Sequence, residues 1–150
     1  MLQIAESVRL RSLIALLFLA ALAPTHSLAD ARSLLNNGSF EEAQFLKDGW
    51  AAYAWGGATL ARDTGVARTG SASARMDLPA SAASEYPAYK YRIDGVKRGA
   101  CYCGSVWART KDATGLGGYV VIEFYAADGH RISFAQGNYT GTGTTGWHEL

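Results

Sequence analysis

The chain has 150 residues, 14 basic against 13 acidic side chains and a formal net charge of +1, so it lacks the charge excess that would hold a nucleic acid or an anionic membrane surface. Its 17 glycines, 11% aromatic residues and lack of long helical periodicity argue against a helical fold and for an all-β one with many turns.

Residues 1–29 read as a cleavable export signal. Arg9 and Arg11 form a basic start, Leu13 to Leu22 is uninterrupted apolar sequence, and Pro24 breaks it. Ser27-Leu28-Ala29 offers small residues where a signal peptidase reads them, which places cleavage before Asp30. The apolar run is about half the roughly 20 residues of a membrane-spanning helix. No cysteine follows the cleavage point closely enough for a lipid anchor, so the expectation is a secreted, extracellular or periplasmic protein with no membrane partner. The remainder, 30–150, is long enough for one domain with a real core and too short for two.

An opening strand is predicted over Leu34–Phe40, with Leu34 and Leu35 inward, a bend at Asn36-Asn37-Gly38-Ser39 and Phe40 returning to the core. Gly49-Trp50 leads into Ala51–Gly57, an aromatic loop or short strand carrying Tyr53 and Trp55. Thr59–Asp63 alternates, Thr64–Gly70 turns, and Ser71–Leu78 alternates with Ala72, Ala74, Met76 and Leu78 on one face. Pro79 ends that strand, residues 80–85 form a loop of small residues, and Tyr86–Val96 and Cys101–Thr110 are the next two predicted strands. Cys101 and Cys103 would then point to one face. They are either thiols or, in an oxidising compartment, partners in an unusual disulfide, and no second ligand pair supports zinc.

Asp128-Gly129 between two alternating runs, Tyr119–Ala127 and His130–Phe134, predicts a hairpin with a type I′ turn. Trp147–Leu150 looks like the start of a further strand. Short strands joined by glycine and proline turns specify a sandwich or barrel.

Four motifs carry a resemblance. They are Asn36-Asn37-Gly38-Ser39-Phe40-Glu41 with Gly49-Trp50, then Arg68-Thr69-Gly70-Ser71-Ala72-Ser73-Ala74. Gly99-x-x-Tyr102-x-x-Ser105-x-Trp107 and the Thr140–Glu149 run with Trp147 complete the set. Together they resemble carbohydrate-binding modules of the CenC-like type, the galactose-binding-like jelly rolls attached to secreted polysaccharide-degrading enzymes. The resemblance spans nearly all of 30–150, and it implies a jelly-roll β-sandwich whose C-terminal strands are missing, an incomplete module.

It also implies a function: non-catalytic binding of a polysaccharide such as a β-glucan or xylan. Outward residues of the predicted strands, Trp107, Arg109, Tyr119, Glu123 and Tyr125, with Tyr53 and Trp55 in the loop where such modules make rim contacts, supply the candidate platform, aromatic rings for pyranose faces and polar groups for hydroxyls. A structural calcium is implied as well, held by Glu41 or Glu42 with oxygens of the Thr69–Ser71 turn. Two other readings stand beside this one. The chain could be the front of a secreted glycoside hydrolase with a catalytic domain downstream, or an adhesion or spacer domain that binds no sugar. No catalytic constellation is legible. Ser105 is not in a nucleophile elbow, and Gly141-Thr-Gly143-Thr-Thr-Gly146 has no βαβ context.

Overall fold

The computed structural model describes residues 2–5, 33–44, 46, 49–82 and 86–150. Its strands in chain order are β1 Leu2–Ala5, β2 Trp50–Tyr53, β3 Thr59–Asp63, β4 Ser73–Asp77, β5 Ala88–Tyr91, β6 Trp107–Thr110, β7 Val121–Tyr125, β8 Arg131–Gln136 and β9 His148–Glu149. A five-stranded sheet runs β3-β4-β1-β6-β9, and two further pairs are β2-β5 and β7-β8. Every pairing between these strands is antiparallel, and the fold is all-β. Among the described residues no helix is long and apolar enough to cross a membrane.

The core forms where the five-stranded sheet faces β2-β5. Ala72, Ala74 and Met76 are buried at alternate positions, as the sequence pattern requires. Phe40, 1% exposed, packs on Ala74, with Trp50 and Tyr89 against them. The Phe40 ring centroid lies 4.9 Å from that of Trp50 and 6.3 Å from that of Tyr89. The Tyr89 hydroxyl reaches two carbonyls of the five-stranded sheet, Ala61 O at 3.1 Å and Arg75 O at 2.8 Å. Its single proton serves one of them at a time. Burial raises the Tyr89 pKa, so the hydroxyl stays a donor at every ordinary pH. Tyr89→Phe should therefore cost about 0.5–1.5 kcal/mol in denaturant unfolding while leaving the fold intact.

The structure corrects several expectations. Leu34–Phe40 is not a strand: Asn36–Ser39 is a turn, and Phe40 enters the core from a loop. Asn37 takes φ 48°, as a small polar residue can, but Phe40 itself sits at φ 61°. Three hydrogen bonds hold this stretch there. Its N–H donates to Asn37 O at 3.1 Å, and Arg62 donates from Nε to Phe40 O and from Nη2 to Glu41 O, both at 2.6 Å. The alternation in β4 is also imperfect. Ser73 is buried on the face opposite Ala74, where its hydroxyl donates to Val66 O at 2.6 Å, whereas Leu78 lies outside the strand and 40% exposed.

The strand predicted over Tyr86–Val96 stops at Tyr91, beyond which Arg92 closes on Asp94 at 2.8 Å and the chain turns at Arg98-Gly99. The strand predicted over Cys101–Thr110 begins only at Trp107. Cys101 and Cys103 therefore occupy irregular chain, and no disulfide joins them.

The β7–β8 hairpin forms as expected, with a different turn. Gly129 has φ 85° while Asp128 does not take positive φ, and Gly129 N–H donates to Ala126 O at 3.0 Å. That is a three-residue loop with a glycine bulge, which needs one left-handed residue instead of the two of a type I′ turn. His148–Glu149 is a short strand beside β6, as the sequence suggested.

One strand has an unexpected origin. Leu2–Ala5, inside the expected export signal, pairs with β4 on one side and β6 on the other. The apolar run of that signal and its cleavage point lie outside the described residues.

Candidate functional site: an aromatic and charged sheet face

Alternation along β5 sends Tyr89 into the core, which leaves Ala88 and Lys90 on the outer face. The register with β2 places Ala51 opposite Lys90 and Tyr53 opposite Ala88, so Tyr53 shares that outer face. Tyr53 and Trp55 are 38% and 50% exposed, and their rings meet edge-on, centroids 5.9 Å apart at 69°. Lys90 Nζ stands 4.6 Å from the Tyr53 ring centroid, a cation–π contact that fixes the orientation of the platform.

The hairpin supplies the polar half. Glu123 accepts from Arg131 Nη1 at 2.8 Å and from the Tyr125 hydroxyl at 2.9 Å. These two bonds, with the charges of Arg131 and Lys90, hold the Glu123 pKa below the usual carboxylate range against a small desolvation penalty. Tyr119 meets Tyr139 edge-on at 5.1 Å, and burial raises its pKa. Tyr125 and Phe134 are exposed, and the register sets Phe134 opposite Glu123.

The sign of the Glu123 shift sets a pH response. A carboxylate with a folded pKa below its unfolded one adds stability above the unfolded pKa, near 4.3, and loses it as pH falls through the folded pKa. The Glu123–Arg131 pair should thus contribute about 0.2–1 kcal/mol at neutral pH. In thermal unfolding scanned from pH 7 to pH 3, Glu123→Gln should flatten part of the acid-side decline and leave the rest.

Trp107 and Arg109 sit elsewhere. In β6, Ala108 and Thr110 are buried, so Trp107 and Arg109 face outward as the alternation predicts. But β6 belongs to the five-stranded sheet, and its outer face points away from the core that Tyr89 and Trp50 enter from β5 and β2, so it is not the face of Tyr53 and Lys90. The Arg68 guanidinium carbon lies 3.6 Å from the Trp107 ring centroid and covers one face of the indole. Arg109 Nε is buried and has no hydrogen-bond partner. The seven sequence-predicted platform residues therefore separate. Tyr53, Trp55, Tyr119, Glu123 and Tyr125 belong to β2, the hairpin and their flanking segments, and Trp107 and Arg109 to the five-stranded sheet. Sequence reading missed Lys90 and Arg131. Parity with Tyr89 would have found the first, and hairpin register the second.

The residues implied for calcium do converge in part. The Glu41 carboxylate accepts from Ser71 N at 3.1 Å, from Ser71 Oγ at 2.5 Å and from Ala72 N at 3.4 Å. These bonds, led by the Ser71 hydroxyl, lower the Glu41 pKa. Gly70, at φ 66°, lies so close that a Cβ there would overlap the carboxylate. Glu42 and Thr69 are exposed. A calcium ion seeks oxygen lone pairs, but Glu41 faces N–H and O–H donors that the ion would first have to displace. As it stands the set does not fit the ion, and the carboxylate acts as a clasp on the Gly70-Ser71 turn.

The Gly141–Gly146 loop has a structural task. Thr145 N donates to Thr110 O at 3.0 Å, and Thr144 Oγ1 accepts from Asp112 N at 3.0 Å, which pins the loop to the end of β6. Comparison with known protein families, with characterised proteins and with solved structures returns no match, so the functional reading rests on the residues and their geometry.

Proposed function

We propose that the chain is a secreted, non-catalytic carbohydrate-binding module with a jelly-roll sandwich, recognising a polysaccharide such as a β-glucan or xylan. The observation that carries this reading is the exposed Tyr53–Trp55 pair beside Lys90 on the outer face of β2-β5, with Glu123 and Tyr125 on the β7-β8 hairpin as the candidate polar partners. The Glu123 carboxylate is held in place by its own hydrogen bonds. A pyranose presents an apolar face ringed by hydroxyls, and such a surface supplies both complements. Arg131 neutralises Glu123 and leaves Lys90 as a single positive charge, which suits an uncharged glycan better than a polyanion. Affinity electrophoresis in gels containing glucan, xylan or mannan tests the reading. Retarded migration in at least one glucan or xylan gel is expected. Unretarded migration in all of them by protein that unfolds cooperatively would overturn it.

A further inference from the structure

The five-stranded sheet is completed at its centre by β1, drawn from the segment that the sequence marks for removal on export. β4 and β6 do not pair with each other; β1 stands between them, antiparallel to both. Cleavage before Asp30 would take that strand away. β4 and β6 would then face each other across a slot one strand wide, each with an edge of unsatisfied N–H and C=O groups.

The register specifies what fits the slot. Position 2 stands in the row of Met76 and Thr110, and position 4 in the row of Ala74 and Ala108. All four of these neighbours are buried, so both rows belong to the core and call for apolar residues. Position 3, occupied by Gln3, falls between Arg75 and Arg109. Arg75 is already shared by Asp77 at 2.7 Å and Asp63 at 3.6 Å. Arg109 Nε, buried without an acceptor, is not. An acidic residue in that row would supply the acceptor, and opposite charges side by side across strands stabilise a sheet.

We propose that the slot between β4 and β6 is a strand-acceptor site whose ligand is an extended peptide segment of apolar–acidic–apolar pattern. Leu2–Ala5 is its occupant in the uncleaved chain. Binding is by strand addition: backbone hydrogen bonds supply affinity, and the alternating rows supply selectivity. Opening of the slot rests on removal of the export signal, and the site is independent of the sugar-binding face.

The test uses the full chain. Ile4→Pro removes a ladder N–H and empties the slot. A fluorescent peptide carrying Leu-Glu-Ile-Ala should bind this variant saturably in anisotropy titrations, roughly 3–10-fold tighter than one carrying Leu-Lys-Ile-Ala. The unaltered chain, its slot filled, should bind about tenfold more weakly than the variant or not at all. If Ile4→Pro abolishes cooperative unfolding, the acidic peptide should restore it. In the otherwise unaltered chain, Gln3→Glu should raise the melting temperature and Gln3→Lys lower it. Equal binding by both chains, or indifference to Glu against Lys in the peptide, overturns the proposal. So does failure of the peptide to bind or rescue the variant while the two Gln3 substitutions melt alike.

Discussion

Replacing Phe40 by alanine should cost about 3–5 kcal/mol of unfolding free energy, the usual range for deleting a buried aromatic ring. Against a total of about 5–15 kcal/mol for an ordinary domain, that is enough to leave much of the protein unfolded at physiological temperature. The ring joins the β2-β5 pair to the five-stranded sheet, touching Trp50 and Tyr89 of the one and Ala74 of the other. A second comparison separates packing from backbone strain. At φ 61°, an L-residue bears a penalty of about 1–2 kcal/mol that alanine keeps and glycine does not. Phe40→Gly should therefore be no less stable than Phe40→Ala, the reverse of the order seen in regular secondary structure. Denaturant unfolding of both variants decides it. A loss under about 1 kcal/mol for Phe40→Ala, or a clearly worse Phe40→Gly, would count against this account of the core.

Trp55→Ala should weaken polysaccharide binding roughly 10–100-fold, which corresponds to the 1.5–3 kcal/mol of an aromatic side chain fully covered by its partner. Stability should change by no more than about 0.5 kcal/mol, because the indole is half exposed in the free protein. Tyr53→Ala should weaken binding too, with the added loss of the Lys90 contact. Trp107→Ala, on the five-stranded sheet, should leave sugar affinity unchanged and release Arg68. Quantitative affinity electrophoresis of the three variants reads all of this. If Trp107→Ala abolished retardation while Trp55→Ala did not, the binding face would be the outer side of the five-stranded sheet.

Local alternation carried most of what could be read in advance. Thr59–Asp63 appears as predicted because hydrophobic period and turn signals agree at both ends. Burial of Ala72, Ala74, Met76 and Ala108 follows the same logic. What failed depends on groups far away in sequence. The Phe40 loop is fixed by Arg62, and the ends of β5 and β6 are set by where partner strands run out, neither of which a window of neighbouring residues contains. The candidate site divided for the same reason. Alternation assigned Trp107 and Tyr125 to one open face, but sheet order puts them on different sheets.

The hairpin has a further consequence. Among the described residues β7 and β8 pair only with each other, and every residue of β8 is exposed. Backbone bonds from Gly137 N to Val120 O at 2.9 Å, Thr140 N to Gly118 O at 2.8 Å and Gly141 N to Leu116 O at 3.1 Å lengthen the same ribbon beyond its strands, and the Phe124 ring meets Tyr102 with centroids 6.0 Å apart. A two-stranded ribbon of this kind is marginal by itself, so it can open without unfolding the five-stranded sheet. In native-state hydrogen exchange, the amides of Arg131–Gln136 should trade their protons for deuterium through a low-energy local opening. Those of β4 should wait for global unfolding. Glu123, Tyr125 and Arg131 lie on that ribbon, so half of the proposed sugar platform would breathe on its own. A glycan bridging the ribbon to Tyr53 and Trp55 would slow that exchange without changing any backbone position.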